Sequence, residues 1–108
     1  MTAAKLDGTG RWWILCGAIL GGLAVVCGAF AAHGLDQFLV KKYAGMEKVQ
    51  VGETIPAARK YWNDFRTAAE YQLTHALALV LVGGLWSQLD SRRLAVAAWC
   101  FLGGTVLF

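Results

Sequence analysis

The chain has 108 residues, a length that allows one domain at most. Apolar residues make up 57% of it and charged residues 16%, whereas a soluble globular domain carries roughly 45–50% and about 25%. Such a composition has too little polar surface for a water-soluble globule, which excludes intrinsic disorder and disfavours a soluble enzyme. A formal net charge of +3 is too small for a nucleic-acid-binding surface.

The first apolar segment follows a polar tail over residues 1–11. The 21 residues 12–32 carry no charge, and as a helix they are about 31 Å long, close to the hydrocarbon thickness of a bilayer. They predict a transmembrane helix over about 12–33. The alternative is a signal peptide, because Ala29, Phe30 and Ala31 match an A-x-A cleavage site, but the apolar run is longer than the roughly 7–15 residues of such signals.

The connection over residues 35–70 is predicted to be amphipathic. One helical face near its start carries the apolar residues Leu35, Phe38, Leu39 and Tyr43, which indicates a short helix at the membrane interface. Residues 45–52 (GMEKVQVG) are typical of a loop, and Pro56 predicts a helix start at residues 54–56.

A long helix from about 57 to 89 is predicted next, with its transmembrane part at about 71–89. Residues 90–93 form a polar turn in which Ser91 is the expected N-cap. The third apolar segment, predicted as a helix over 92–108, has only 15 residues after the turn, about 22 Å, too short to cross the bilayer core. We therefore expect it to be incomplete and the chain to be a truncated form of a longer protein.

These segments predict an all-α integral membrane helical bundle in a single membrane domain, residues 1–108. The first two spans form an antiparallel hairpin, which places Trp12, Trp13 and Trp86 on one side of the bilayer as an aromatic belt. The compact pair Arg92 and Arg93 favours an N-terminus inside. The three cysteines, Cys16, Cys27 and Cys100, lie inside apolar segments and have neither disulfide nor metal-site spacing.

Three stretches of the sequence together carry a resemblance to a known family. They are residues 28–35 (GAFAAHGL), 70–79 (EYQLTHALAL) and 101–108 (FLGGTVLF). With them the chain resembles the domain-of-unknown-function 423 family of small multi-pass membrane proteins. The resemblance implies a location in the bacterial inner membrane and four transmembrane helices, of which this chain holds three. It implies no catalytic residue and no cofactor.

A stripe of small residues follows one face of the first span. Its members are Gly17, Gly21, Ala24, Gly28 and Ala32, at spacings of 4, 3, 4 and 4. Small residues let a second helix approach closely in lipid. We expect the stripe to pack within the chain, against the second or third span. The alternative is that it forms a dimer interface.

A polar cluster is predicted at the other end of the hairpin. His33 ends the first span, and Glu70, Tyr71 and His75 open the second, so that an antiparallel pair brings them to similar depth. In the structural interpretation His33 and His75 hydrogen-bond across the helix pair while Glu70 pairs with Arg66. In the functional alternatives the cluster binds a metal ion, relays a proton or contacts a substrate.

The sequence therefore favours a non-enzymatic membrane protein, a structural or accessory component that acts through helix–helix association. Its expected partners are the lipid bilayer and a second copy or another membrane protein, with no nucleic acid. A phosphate-binding loop, a nucleophile elbow and a zinc motif are all absent from the sequence. The alternative is a small transporter, channel or proton- or metal-linked module that uses His33, Glu70 and His75.

Overall fold

Four α-helices and one β-hairpin make up residues 8–108, the part of the chain that the computed structural model describes. The predicted polar tail lies largely outside the described residues. In chain order the elements are α1 (Gly8–Phe30), a π-helical segment (Ala31–Leu35), α2 (Asp36–Lys42), β1 (Glu47–Gln50), β2 (Glu53–Pro56), α3 (Ala57–Leu85) and α4 (Ser91–Leu107). The continuous helical run Gly8–Lys42 and the helix Ala57–Leu85 are each long and apolar enough to cross a membrane.

The antiparallel packing of α1 against α3 depends on glycines that remove side chains from the interface. A Cβ atom added at Gly17 would lie 2.6 Å from the carbonyl oxygen of Ala76, and one at Gly83 would lie 2.6 Å from the carbonyl oxygen of Gly10. Real Cβ atoms do not approach backbone oxygens this closely, so larger residues would force the helices apart. Close backbone approach through small residues is how helices pack in lipid.

The third helix, α4, packs mainly against α3 and completes a core at one end of the hairpin. The buried residues of this core are Trp13, Leu79, Val82 and Ala98. The rings of Trp13 and Trp99 meet edge to face with centroids 5.3 Å apart. Trp86 packs against the same core, so Trp13 and Trp86 lie at one end of the hairpin as predicted.

The helix of the first span does not end near residue 33 but continues without a break into α2. Leu35 and Leu39 are buried against Ala58 at the start of α3, and Tyr43 packs at the edge of this second core. Phe38, which was predicted on the same face, is instead 54% exposed. The π-helical segment immediately before α2 rotates the side chains that follow it relative to a regular α-helix. A regular 3.6-residue spacing does not take this rotation into account.

The predicted loop over 45–52 is wrong, because this region forms an antiparallel β-hairpin with β1 paired to β2. Its two turn residues, Val51 and Gly52, have positive φ angles of 51° and 80°, the backbone of a type I′ turn. Residues 54–56 belong to β2 rather than to the first turn of a helix, but α3 does begin at Ala57, where the long helix was predicted to start. Pro56 has φ −54° and ψ 134°, and therefore precedes α3 rather than entering it.

The turn between α3 and α4 also differs from the prediction. The helix α3 ends at Leu85 rather than near residue 89. The N-cap of α4 is Asp90 instead of Ser91, and its side chain accepts a hydrogen bond of 3.0 Å from the backbone N–H of Arg92. A carboxylate is favoured there because it meets the free N–H groups and the positive end of the helix dipole.

Val51 gives a direct test of the hairpin. It is 98% exposed and has a left-handed backbone that disfavours β-branched residues, whereas asparagine adopts it readily. We expect Val51→Asn to stabilise the hairpin by about 1 kcal/mol and to slow amide exchange of residues 47–56 roughly fivefold. The matched control is Val49→Asn, within β1 and also exposed, which should not slow exchange. Equal exchange rates in the wild type and Val51→Asn would contradict the turn geometry.

Candidate functional site

The π-helical segment Ala31–Leu35 is the irregular part of the first long helix. The residues on either side of it, Phe30 and Asp36, have ordinary α-helical backbone angles, so the irregularity is confined to one widened turn. The indole Nε1–H of Trp62 in α3 donates a hydrogen bond of 2.7 Å to the carbonyl oxygen of Ala31. π-Helical turns are rare and are frequent at functional sites. This segment is therefore the natural centre for a candidate site.

Beside the π-helical segment lies an open groove of about 410 Å³, lined by residues of both long helices. Its lining is mostly apolar and consists of Ala24, Val25, Gly28, Ala31, Ala32, Trp62, Arg66, Ala69, Glu70 and Leu73. A Cβ atom added at Gly28 would meet nothing within 4 Å, in contrast to Gly17 further along the same helix. The two helices meet closely at Gly17 and remain in contact as far as the buried Ala31, and the groove lies at the side of this contact.

Two charged residues and an indole ring form the polar rim of this groove. Arg66 Nε donates to Glu70 Oε1 at 2.9 Å, and the two side chains remain 60% and 61% exposed. The guanidinium of Arg66 also lies over the ring of Trp62, 5.6 Å from its centroid. The rim therefore presents a positive and a negative group next to each other above an apolar floor.

The small-residue stripe divides between the helix contact and the groove. Gly17 and Ala24 are buried against α3, and a Cβ atom added at Gly21 would lie 3.6 Å from the Cβ of Ala76. These members pack within the chain, as the sequence predicted. Gly28 and Ala32 instead line the open groove.

Two members of the predicted polar cluster, Tyr71 and His75, face α4. The ring of His75 donates from Nδ1 to the carbonyl oxygen of Tyr71 at 2.7 Å and meets the edge of Phe101 at a centroid distance of 6.0 Å. Tyr71 stacks on Phe108 at 4.7 Å. A Cβ atom added at Gly104 would lie 3.1 Å from His75 Nε2, so the glycine makes room for the imidazole.

The other two members, His33 and Glu70, lie apart from that pair. His33 is exposed and forms no hydrogen bond with His75, so the predicted bond across the helices is wrong. Glu70 pairs with Arg66 one turn back, as the structural interpretation expected. Within residues 8–108 the structure groups no three His, Cys, Asp or Glu side chains in a way that could hold a metal ion.

Two interhelical hydrogen bonds that hold the site were not predicted from the sequence. One is the Trp62 bond to Ala31, and the other is donated by Gln72 Nε2 to the carbonyl oxygen of Leu20 at 2.9 Å. The available signal was that Trp62 and Gln72 follow the same helical spacing as the apolar side chains between residues 57 and 72. A polar group on such a face must find a partner on another helix when the surroundings are lipid.

Comparison with known proteins gives a consistent result. The family model described as protein of unknown function (DUF423) matches residues 27–108, which include the π-helical segment and the whole groove rim. The UPF0382 membrane protein YwdK of Bacillus subtilis is 35% identical over 97 residues, 89% of this chain and 64% of that relative. A UPF0382 membrane protein of Staphylococcus epidermidis is 31% identical over 96 residues, 89% of this chain and 63% of its own length.

The chain thus spans just under two thirds of the length of these relatives. No solved structure gives a significant match.

The hydrogen bond from the indole N–H of Trp62 to Ala31 should contribute measurably to the stability of the fold. We expect Trp62→Phe, which keeps an aromatic ring but removes the donor, to lower the free energy of unfolding by about 1 kcal/mol. Amide exchange should accelerate at the π-helical segment. The control is Trp12→Phe, because Trp12 is 59% exposed. Hydrogen exchange measured in bicelles checks this, and unchanged exchange of residues 31–36 in Trp62→Phe would contradict it.

Proposed function

The chain belongs to the DUF423 family, and from this premise we propose that it is a small multi-pass, non-enzymatic protein of the bacterial inner membrane that acts through helix–helix association. Membrane location is supported by the names of the relatives and by the two long apolar helices. Two passes are supported by the two long apolar helices, and we propose α4, about 26 Å long, as part of a third. The fourth helix and the inside location of the N-terminus stay predictions.

The observation that carries the association is a second small-residue stripe, on the outer surface of α1. Ala18, Gly22 and Ala29 are all exposed and lie at spacings of 4 and 7, along one face. A Cβ atom added at Gly22 would meet nothing within 4 Å, so no internal contact requires a glycine there. An outward small residue gives another helix the same close approach that Gly17 gives α3. We propose that a second copy of the chain packs on this face.

The transporter, channel or proton- or metal-linked alternative has no comparable support. It needs His33, Glu70 and His75 to act on one ligand or proton. His75 packs against α4, Glu70 pairs with Arg66, and His33 lies exposed on the π-helical segment. No geometry among these three favours the alternative over association.

The same glycine-to-leucine substitution should affect different properties on the two faces of α1, self-association at Gly22 and fold stability at Gly17. We expect Gly22→Leu to weaken self-association at least tenfold and to leave helix content and thermal stability close to wild type, since the site is open. We expect Gly17→Leu to destabilise the fold itself, since any side chain there meets the backbone of α3.

Energy transfer between labelled copies in liposomes measures the first effect, and thermal unfolding in detergent measures the second. The matched control is Gly84→Leu, an equally open glycine on α3, which should leave association unchanged. A wild-type chain that stays monomeric in the bilayer, or a Gly22→Leu chain that dimerises normally, would overturn the proposal.

A further inference from the structure

We infer that the tip of the β-hairpin, residues 49–52, contacts the lipid headgroup layer through Val51 and attaches the hairpin to the bilayer surface. The partner of this tip is the membrane interface itself. The inference rests on the membrane location proposed above, and it does not depend on self-association.

The hairpin folds back along α3 instead of extending beyond its start. At the base of the hairpin, the backbone N–H of Ala57, the first residue of α3, donates a hydrogen bond of 2.8 Å to the carbonyl oxygen of Met46. At the tip, Val51 lines an open cavity of about 350 Å³ together with Asn63 of α3. Asn63 lies six residues, about 9 Å, further along α3 than Ala57. The tip therefore points in the direction in which α3 runs into its apolar stretch.

The level of Asn63 in the membrane follows from the register of α1 against α3. Ala31 is level with Trp62, because the indole of Trp62 donates to its carbonyl oxygen. On α3 the uncharged stretch ends at Glu70, whereas on α1 it continues to Ala32, so the hydrocarbon boundary lies between the levels of Glu70 and Trp62. Asn63 is therefore within about 10 Å of that boundary, in or beside the headgroup layer. Tryptophan is enriched at this level of membrane proteins, which agrees with the position of Trp62.

Val51 is poorly suited to a turn that faces water. It is 98% exposed, and its φ of 51° is a left-handed backbone that disfavours β-branched residues. Residues that are held in such a backbone cluster at functional positions. Contact with lipid gives a role to an apolar side chain here, because it takes the exposed valine out of water.

The faces of the hairpin are arranged for the same contact. Ile55 is half-buried and lines the cavity against α3, and it pairs with Lys48 across the strands. Because side chains alternate along a strand, Val49 lies on the other face, where it is 69% exposed. The acidic residue at the tip, Glu53, lines the cavity together with Arg59 of α3. The outer side of the tip therefore presents valine to the membrane.

The test compares valine methyl groups of the full chain in nanodiscs of phosphatidylcholine and phosphatidylglycerol. In the NMR spectrum, Val51 should show cross-peaks to lipid headgroup and glycerol protons, and a water-soluble gadolinium complex should broaden it only weakly. Val26, 64% exposed in the first span, should show cross-peaks to acyl chains. Val40 is the matched control, because it is 61% exposed but lies beside Pro56 at the base of the hairpin. Its methyl groups should contact water only and broaden strongly.

A threonine substitution separates apolar contact from turn geometry. Val51→Thr keeps the branched Cβ atom and makes the side chain polar, whereas Val51→Asn would also change the turn. We expect Val51→Thr to remove the lipid cross-peaks of the neighbouring Val49 and to increase its broadening by gadolinium. Val40→Thr should change neither, and the amide shifts of residues 47–56 verify that the hairpin is folded in both variants.

Three results would each overturn the inference. Val51 methyl groups that broaden as strongly as those of Val40 would place the tip in water. Val51 methyl groups that are protected from gadolinium but lack lipid cross-peaks would assign the tip to a protein contact. A Val51→Thr chain in which Val49 keeps its lipid cross-peaks would remove the role of Val51.

The methyl groups of Val26 distinguish this failure from a failure of the membrane location. If Val26 contacts acyl chains and Val51 does not contact lipid, the attachment of the hairpin alone is refuted. If Val26 also lacks lipid cross-peaks, the membrane location is refuted together with the attachment.

Discussion

Contact between the backbones of α1 and α3 is the feature on which the rest of the structure depends. Gly10, Gly17 and Gly83 remove the side chains that would keep the two helices apart. In lipid there is no hydrophobic driving force between helices, because lipid tails are as apolar as leucine, and stability comes from close packing and polar bonds. The bond from Gln72 to Leu20 adds the polar part of this interaction between the same two helices.

Toward the other end of the hairpin the same contact leaves a groove at its side. Beyond Ala24 the facing positions on α3 carry larger side chains, among them Trp62 and Arg66, while α1 continues with glycine and alanine. The π-helical turn follows at once, and its first carbonyl accepts the indole N–H of Trp62. The helix pair thus stays in contact as far as Ala31 and carries a groove along its side.

Much of the architecture could be predicted from the sequence because charge and hydropathy are strongly segregated along it. The apolar segments, their antiparallel pairing, the common end of Trp13 and Trp86 and the inward packing of Gly17 all follow from that segregation and from spacing. The family was also identified correctly from three short motifs. The β-hairpin was missed since its turn, Val51-Gly52, lacks the asparagine or aspartate that usually marks a type I′ turn.

The candidate site was harder to predict, because two residues at the same depth in a membrane can lie on helix faces that point away from each other. His33 and His75 were placed together on depth alone, and the structure turns His75 toward α4. A π-helical turn shifts the facing of every residue after it, and nothing in the composition of residues 31–35 marks such a turn. The sequence also does not distinguish glycines that contact another helix from glycines that face open space. Gly83 is in contact with α1, whereas its neighbour Gly84 faces open space.

Substitutions at Gly83 and Gly84 offer the most direct measurement of the contact between α1 and α3. Alanine stabilises an exposed helical position by roughly 0.5–1 kcal/mol relative to glycine. The account predicts that Gly84→Ala slightly raises the free energy of unfolding in bicelles, whereas Gly83→Ala lowers it by roughly 1–3 kcal/mol, because its Cβ would meet the backbone of α1. If Gly83→Ala proved as stabilising as Gly84→Ala, the two backbones would not be in contact and the account would be contradicted.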